Sequence, residues 1–143
     1  ENYVPWLNTL KPLAAVIDFI SIHTYPVWEY KHIHEAMDYT QANHDMVAGL
    51  YPDKPVIITE AGWATNSNGR GIHPEHVNEL NQKTYYEDLM NWSEEKKILT
   101  FFFEAFDEEW KGSHDPFEPE KHWGLFRIDR SPKLAMENLV KTA

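Results

Sequence analysis

The sequence predicts an α/β fold, a partial (β/α)8 barrel, and three observations lead there. Three uninterrupted apolar runs are spaced along the chain, helical patterning separates them, and no phosphate-cradling glycine loop follows any of them. Apolar runs without alternation suit strands buried on both faces. Strand, helix and strand in succession argue for parallel neighbours. A doubly wound dinucleotide-binding sheet is the competing architecture, but Gly69 and Gly71 lack the context and spacing of its fingerprint. A complete barrel takes about 250 residues. This chain has 143, enough for one domain-sized core but only part of a barrel.

Residues from about Trp6 to Leu13 read as the tail of a helix or a connecting loop. The first apolar run, Ala15 to His23, ends in His23-Thr24-Tyr25-Pro26, where Pro26 blocks further strand pairing. From about Ile33 to Leu50 the apolar spacing becomes three and four through Ile33, Met37, Val47 and Leu50. That predicts a helix, closed by Gly49 and Pro52. The second run, Pro55 to Glu60, is the most informative stretch, since aliphatic residues lead straight into a carboxylate, followed by Gly62 and Trp63. A turn-rich loop occupies Ala64 to His73. A second helix is expected from Pro74 to about Glu94, with Val77, Leu80, Leu89 and Trp92 on one face. The third run, Ile98 to Phe103, is expected to be a buried strand leading into Glu104, Asp107 and Glu108. A long loop to His122 and a helix from about Pro132 to Lys141 complete the pattern.

Composition excludes several functions. The formal net charge is −10, from 13 basic and 23 acidic residues, which is wrong for a nucleic-acid partner. No apolar run approaches the roughly 20 residues of a membrane span. Without cysteine there is no disulfide framework or thiolate chemistry. The chain starts at Glu1 with no signal-like segment, and is expected to be a piece of something larger. Asn91-Trp92-Ser93 fits a glycosylation sequon, a triplet that also arises by chance.

Ligands of α/β sheets and barrels gather at the carboxyl ends of the strands. Three such ends deliver His23 and Tyr25, then Glu60 and Trp63, then Glu104, Asp107 and Glu108. Carboxylates, aromatics and Lys111 without a dense histidine cluster point to glycoside hydrolysis, which needs two carboxyl groups across the scissile bond. Each of these residues also has a purely structural reading, as a strand cap, a packed ring or a surface ion pair. A metal site is the rival chemistry. His32 and His34, or His73 and His76, do not match a His-Glu-x-x-His helix, and Pro74 interrupts the second pair. No metal or cofactor is expected. No Gly-x-Ser-x-Gly elbow supports a serine hydrolase.

Ile58-Thr59-Glu60-Ala61-Gly62-Trp63 resembles the nucleophile motif of glycoside hydrolase family 17, the β-1,3-glucanases and related glucanosyltransferases. Phe103-Glu104-Ala105-Phe106-Asp107-Glu108-Glu109-Trp110-Lys111, and Glu120-Lys121-His122-Trp123-Gly124-Leu125-Phe126 after it, are similar to the same family. His23-Thr24-Tyr25-Pro26 resembles its sixth barrel strand. The resemblance implies barrel strands 6 to 8 and a C-terminal part of one hydrolase domain over residues 1–143, with the N-terminal half absent. It implies a retaining hydrolase or transglycosylase of β-1,3-glucan with Glu60 as nucleophile. Glu108, Lys111 and Glu120 would form the charged network beside it, and His23, Tyr25, Trp28, Trp63 and Phe106 the sugar-binding surface. An extracellular, periplasmic or cell-envelope location goes with that family. The family's acid/base glutamate lies on the fourth strand, so no residue here inherits that role. The open barrel edge calls for a second copy or the missing half to cover it. Two alternatives stand beside this reading, a non-catalytic carbohydrate-binding fragment and a barrel glycosidase of another family acting on a different β-glycan.

Overall fold

The computed structural model describes residues 1–140. Two short helices, α1 (Tyr3–Leu7) and α2 (Lys11–Ala14), precede a parallel sheet of β1 (Ile20–Thr24), β2 (Val56–Ala61) and β3 (Thr100–Phe102). The strands lie in the order β1-β2-β3. Parallel neighbours need crossovers, and α3 (Ile33–Leu50) and α4 (Glu79–Lys96) supply them. Both helices pack on one face of the sheet, where Ile20, Ile22, Val56 and Ile58 are buried. A doubly wound sheet would carry helices on both faces. One covered face is the layering of a barrel segment.

The helix α3 occupies the range the sequence predicts, but its buried stripe differs. Ala36, Thr40, Asn43 and Val47 face the core, while Leu50 is exposed. The polar residues of the stripe are matched, since Thr40 Oγ1 lies 2.8 Å from the Tyr85 hydroxyl and Asn43 Nδ2 donates to Thr24 Oγ1 at 3.1 Å. A polar position can be a core position when its partner is supplied.

Four expectations are corrected. The first strand begins at Ile20, because α2 occupies 11–14 and the turn after it leaves Val16 and Phe19 exposed. The second crossover helix begins at Glu79 instead of Pro74, which opens a single 3₁₀ turn over Pro74–His76. Asn78 supplies the helix cap, its side chain accepting from Asn81 N at 2.7 Å. The core-facing residues of α4 are Gln82, Tyr85, Leu89 and Ser93, and Leu80 is 63% exposed. The third strand is short and sits at the sheet's edge. Thr100 and Phe102 turn toward α4, which leaves Leu99 and Phe101 exposed on the opposite face. Pro132 forms an isolated antiparallel bridge with Phe126, so the last helix, α5 (Glu137–Val140), starts later than expected. The predicted end of that helix at Lys141 lies outside the described residues.

Gly62 sets the spacing of β2 and β3. Phe103 N donates to Ala61 O at 2.7 Å, and a Cβ on Gly62 would lie 2.1 Å from the Phe103 carbonyl oxygen. That neighbour is backbone and cannot swing aside. Gly49, in contrast, has open space around it within a helix. Gly62→Ala is therefore expected to lower stability by about 3 kcal/mol through overpacking. Gly49→Ala should raise it by about 0.5 kcal/mol, through helix propensity and unfolded-chain entropy. Urea unfolding of both variants checks this, and two changes of the same sign would contradict the packing account.

Candidate active site

Strict alternation along β2 would send Glu60 to the helix side with Val56 and Ile58. The pairing with β1 instead slips by one residue, so that Ile22 pairs with Ile58 but His23 pairs with Glu60. The extra residue, Thr59, turns Glu60 onto the side His23 occupies. Such a bulge re-aims a side chain without ending the strand. Tyr25 follows β1, and its hydroxyl donates to Glu60 Oε2 at 2.7 Å. His23 Nδ1 lies 3.3 Å from the same oxygen.

A cleft of about 230 Å³ opens above Glu60, lined by Tyr25, Trp28, Phe103, Glu120 and Trp123. Its aromatic wall is continuous, with the Tyr25 ring 5.1 Å from Trp123 and 5.9 Å from Phe103. An adjoining hollow of about 250 Å³ shares Tyr25 and Trp28 and extends past His23 to Tyr39. The loop after β2 braces this wall. Gly71 has φ +79° and lies so close to the Trp28 indole that a Cβ would come within 2.2 Å of it. Only glycine lets the backbone approach that ring in that conformation.

On the far side of Phe103, Lys111 Nζ contacts Glu104 Oε2 at 2.6 Å and Glu108 Oε2 at 2.7 Å, and stands 4.5 Å from the Phe103 ring centre. Of the expected Glu108–Lys111–Glu120 network, the Glu108–Lys111 pair forms directly. Glu120 lines the Glu60 cleft.

The electrostatics follow from burial among acids. Burial, and then the hydrogen bond to Glu60, push the Tyr25 phenol far above its ordinary range, so it remains a donor. Burial lowers His23 despite the opposing pull of Glu60, which makes it a neutral imidazole at neutral pH. Burial raises both Glu104 and Glu120, with Lys111 only partly offsetting it. Burial opposes the charge on Lys111, yet Glu104 and Glu108 hold its pKa above the usual lysine value.

Two expected sugar-binding residues stand elsewhere. Trp63 is fully buried, packs on Tyr85 at 5.6 Å and donates its indole N–H to His76 O at 3.0 Å. It follows the β2 end on the helix side and cannot reach the rim. Phe106 lies against Phe126 and beneath the Arg130 guanidinium at 3.8 Å, in a separate depression. Trp123 takes part in the site without having been singled out for it, and Glu104, expected as an acid at a strand end, engages Lys111 beside Phe103. Trp123 lies inside the last motif, but six tryptophans offer no sequence signal that separates wall from core.

A larger hollow, about 520 Å³, lies away from Glu60, between Glu79, Asp107, Arg127 and Lys133. Its buried charges already serve one another. Lys133 is 2% exposed and donates to Asp107 at 2.8 Å and Thr65 at 2.7 Å, and Arg127 pairs with Glu79. The smaller cleft has the carboxylate and the rings, so we place the candidate site there. The histidines of the rival reading do come together, with His32 and His76 ring centres 4.1 Å apart and His34 and His73 each 5.4 Å from one of them. Among the described residues, no three acidic or histidine side chains are arranged to hold a metal.

A parallel sheet covered by helices on one face, with a carboxylate and rings at its strand ends, has the arrangement of part of a (β/α)8 barrel. The chain belongs to the BtgE/BtgC glycoside hydrolase domain family, whose model matches residues 1–124. It superposes on an endo-laminarinase from Formosa with a TM-score of 0.87 and 27% identity, covering 99% of this chain and 46% of that one. A glycoside hydrolase family 17 β-1,3-glucanosyltransferase from Rhizomucor miehei gives a TM-score of 0.77 and 27% identity over 91% of this chain and 46% of its own. In sequence, the chain is 26% identical to a glucan 1,3-beta-glucosidase of Arthroderma benhamiae over 133 residues, 82% of this chain and 42% of that protein. The chain thus spans less than half the length of these relatives. No helix among the described residues is long and apolar enough to cross a membrane.

The histidine group makes stability pH-dependent. Burial, and then the adjacent His32, hold the His76 imidazole below its ordinary 6.5. As pH falls through that ordinary value the unfolded chain takes up a proton that the folded chain refuses, so stability is present above it and lost below. Urea midpoints measured from about pH 7.5 down to 5 should fall, and His76→Gln should flatten the slope. An unchanged slope in that variant would assign the loss to other groups.

Proposed function

We propose that this chain supplies the nucleophile side of a retaining hydrolase or transglycosylase of β-1,3-glucan, as the C-terminal part of one barrel domain. The observation that carries the reading is Glu60 itself, turned by a bulge into an aromatic cleft and held there by the Tyr25 hydroxyl. A carboxylate so placed can attack the anomeric carbon of a bound glucosyl unit while the bond from that carbon to the leaving oxygen breaks. The leaving oxygen takes its proton from an acid supplied outside this chain. Water or a sugar hydroxyl then displaces Glu60, giving hydrolysis or transfer. Tyr25 keeps one carboxylate oxygen fixed, and Trp28, with His23 beside it, offers flat surface to sugar faces. Glu120 brings a second acid to the cleft lining, and the Lys111–Glu108 pair stands behind Phe103.

Relatives named as β-1,3-glucan enzymes, both hydrolase and transferase, support the substrate class and leave both outcomes in the reading. The uncovered sheet face, with Leu99 and Phe101 exposed, fits a barrel whose remaining strands come from elsewhere. A purely carbohydrate-binding role is the second reading, favoured by aromatic walls that are present while the acid is not.

An activated substrate separates the two. A dinitrophenyl 2-deoxy-2-fluoro-β-glucoside has a leaving group that needs no protonation, so it tests the nucleophile alone. The 143-residue chain should gain one fluoroglucosyl unit on the peptide containing Glu60, and Glu60→Gln should gain none. The same chain should release no sugar from laminarin above the Glu60→Gln background. A label on another residue would overturn the nucleophile assignment, and laminarin turnover would overturn the claim that the acid is supplied outside this chain.

A further inference from the structure

Glu104 stands outside the network that the family likeness implies, yet it makes the shortest contact to Lys111. Its Oε2 accepts from Lys111 Nζ at 2.6 Å, and Glu108 Oε2 accepts from the same ammonium at 2.7 Å. Two carboxyl groups therefore crowd one positive charge. The side chains are 15% and 30% exposed, so water screens them poorly. The other oxygen of Glu104, Oε1, is fully buried with no hydrogen-bond partner among the described residues. A charged oxygen buried without a donor is the costly case.

We propose that Glu104 and Glu108 hold one proton between them with Lys111 as their clamp, which makes Glu104 the residue that positions Lys111 against Phe103, one of the rings lining the Glu60 cleft. A proton taken from water converts one carboxylate to a carboxyl, removes one negative charge, and leaves a neutral cluster of one acid, one carboxylate and one ammonium. Crowded carboxyl groups relieve repulsion in this way. The surroundings push in the same direction. Burial raises Glu104 beyond what Lys111 offsets, and Glu108 adds to the rise. The other titratable groups around the cluster are Glu120 from the turn before Trp123, Tyr25 and Glu60 across the cleft, and Lys121, whose ammonium donates to the Lys111 carbonyl oxygen at 2.7 Å. Lys121 serves the backbone carbonyls of Glu109 and Lys111, and Lys111 is the ammonium in contact with Glu104 and Glu108. The Phe103 ring covers one side of the ammonium, so Glu104 and Glu108 fix its direction.

The consequence for sugar binding rests on the glucan reading, whereas the shared proton does not. The test is a pH titration of the whole chain labelled with [13C]glutamate, read at the side-chain carboxyl carbons. Besides Glu120, which burial also raises and which Glu120→Gln identifies, one carboxyl should titrate above the ordinary glutamate range, and that step should vanish in Glu104→Gln. In Glu108→Gln, with its like-charged neighbour gone, Glu104 should titrate lower than in the parent. A parent chain with no elevated step besides that of Glu120, or an elevated step other than Glu120's that survives in Glu104→Gln, overturns the proposal. Should Glu104→Gln fail to fold, the parent and Glu108→Gln decide. Laminaritriose binding, followed by tryptophan fluorescence, then tests positioning. Glu104→Gln mimics the protonated form and should bind within about twofold of the parent, whereas Glu104→Ala frees Lys111 and should bind about tenfold more weakly. Equal loss in both variants would refute the positioning role. A parent that binds no laminaritriose would count against the glucan reading and leave the proton pair judged by the titration.

Discussion

The candidate site depends on a single slipped residue in a parallel ladder. Without the extra Thr59 between the pairs Ile22–Ile58 and His23–Glu60, the alternation of β2 would bury Glu60 against the helices. There it would be an unpaired acid in an apolar layer, a costly arrangement. With the slip, it faces Tyr25 and His23 on the open side. The bulge also explains why the strand can be so apolar and still end in chemistry. Val56 and Ile58 fasten the strand to the core, and the next two residues belong to the rim.

The architecture was largely legible in the sequence, because apolar runs and helical spacing report burial directly. The range of α3 and the position of Glu60 at a strand end both follow from that signal. What misled was the assumption that large apolar residues mark the buried face. Leu80, Leu99 and Phe101 point to solvent, while Thr40, Asn43 and Gln82 are buried, with Thr40 and Asn43 paired to side chains and the Gln82 amide nitrogen donating to the Trp63 carbonyl oxygen. A sequence carries no record of which polar side chain will find a partner in space. Tryptophan shows the same limit within the site. Trp63 and Trp123 both follow promising acids, but one packs under the sheet and the other walls the cleft. Glu104 was readable as an acid at a strand end, and its engagement with Lys111 was not, since that contact is made by a loop fold.

Charge in this protein is distributed by burial. Acidic residues outnumber basic ones, yet in the region after β3 Lys111 is held by two carboxylates and Lys133 is buried against one. Lys133, with Asp107 and Thr65, anchors the base of the long loop, and Lys111 gathers its upper part toward Phe103. The loop is thus held by two cations at different depths. Losing the deeper one would strand a buried carboxylate and destabilise the fold.

Next to Lys111 stands Trp110, 76% exposed, while Trp6, Trp63 and Trp123 are buried. Its ring lies 5.8 Å from the Lys111 ammonium. The chain therefore carries its own optical reporter. An ionic quencher in solution reaches Trp110 far more readily than the enclosed indoles, and the quenchable part of the emission reads out the posture of the loop without any attached dye.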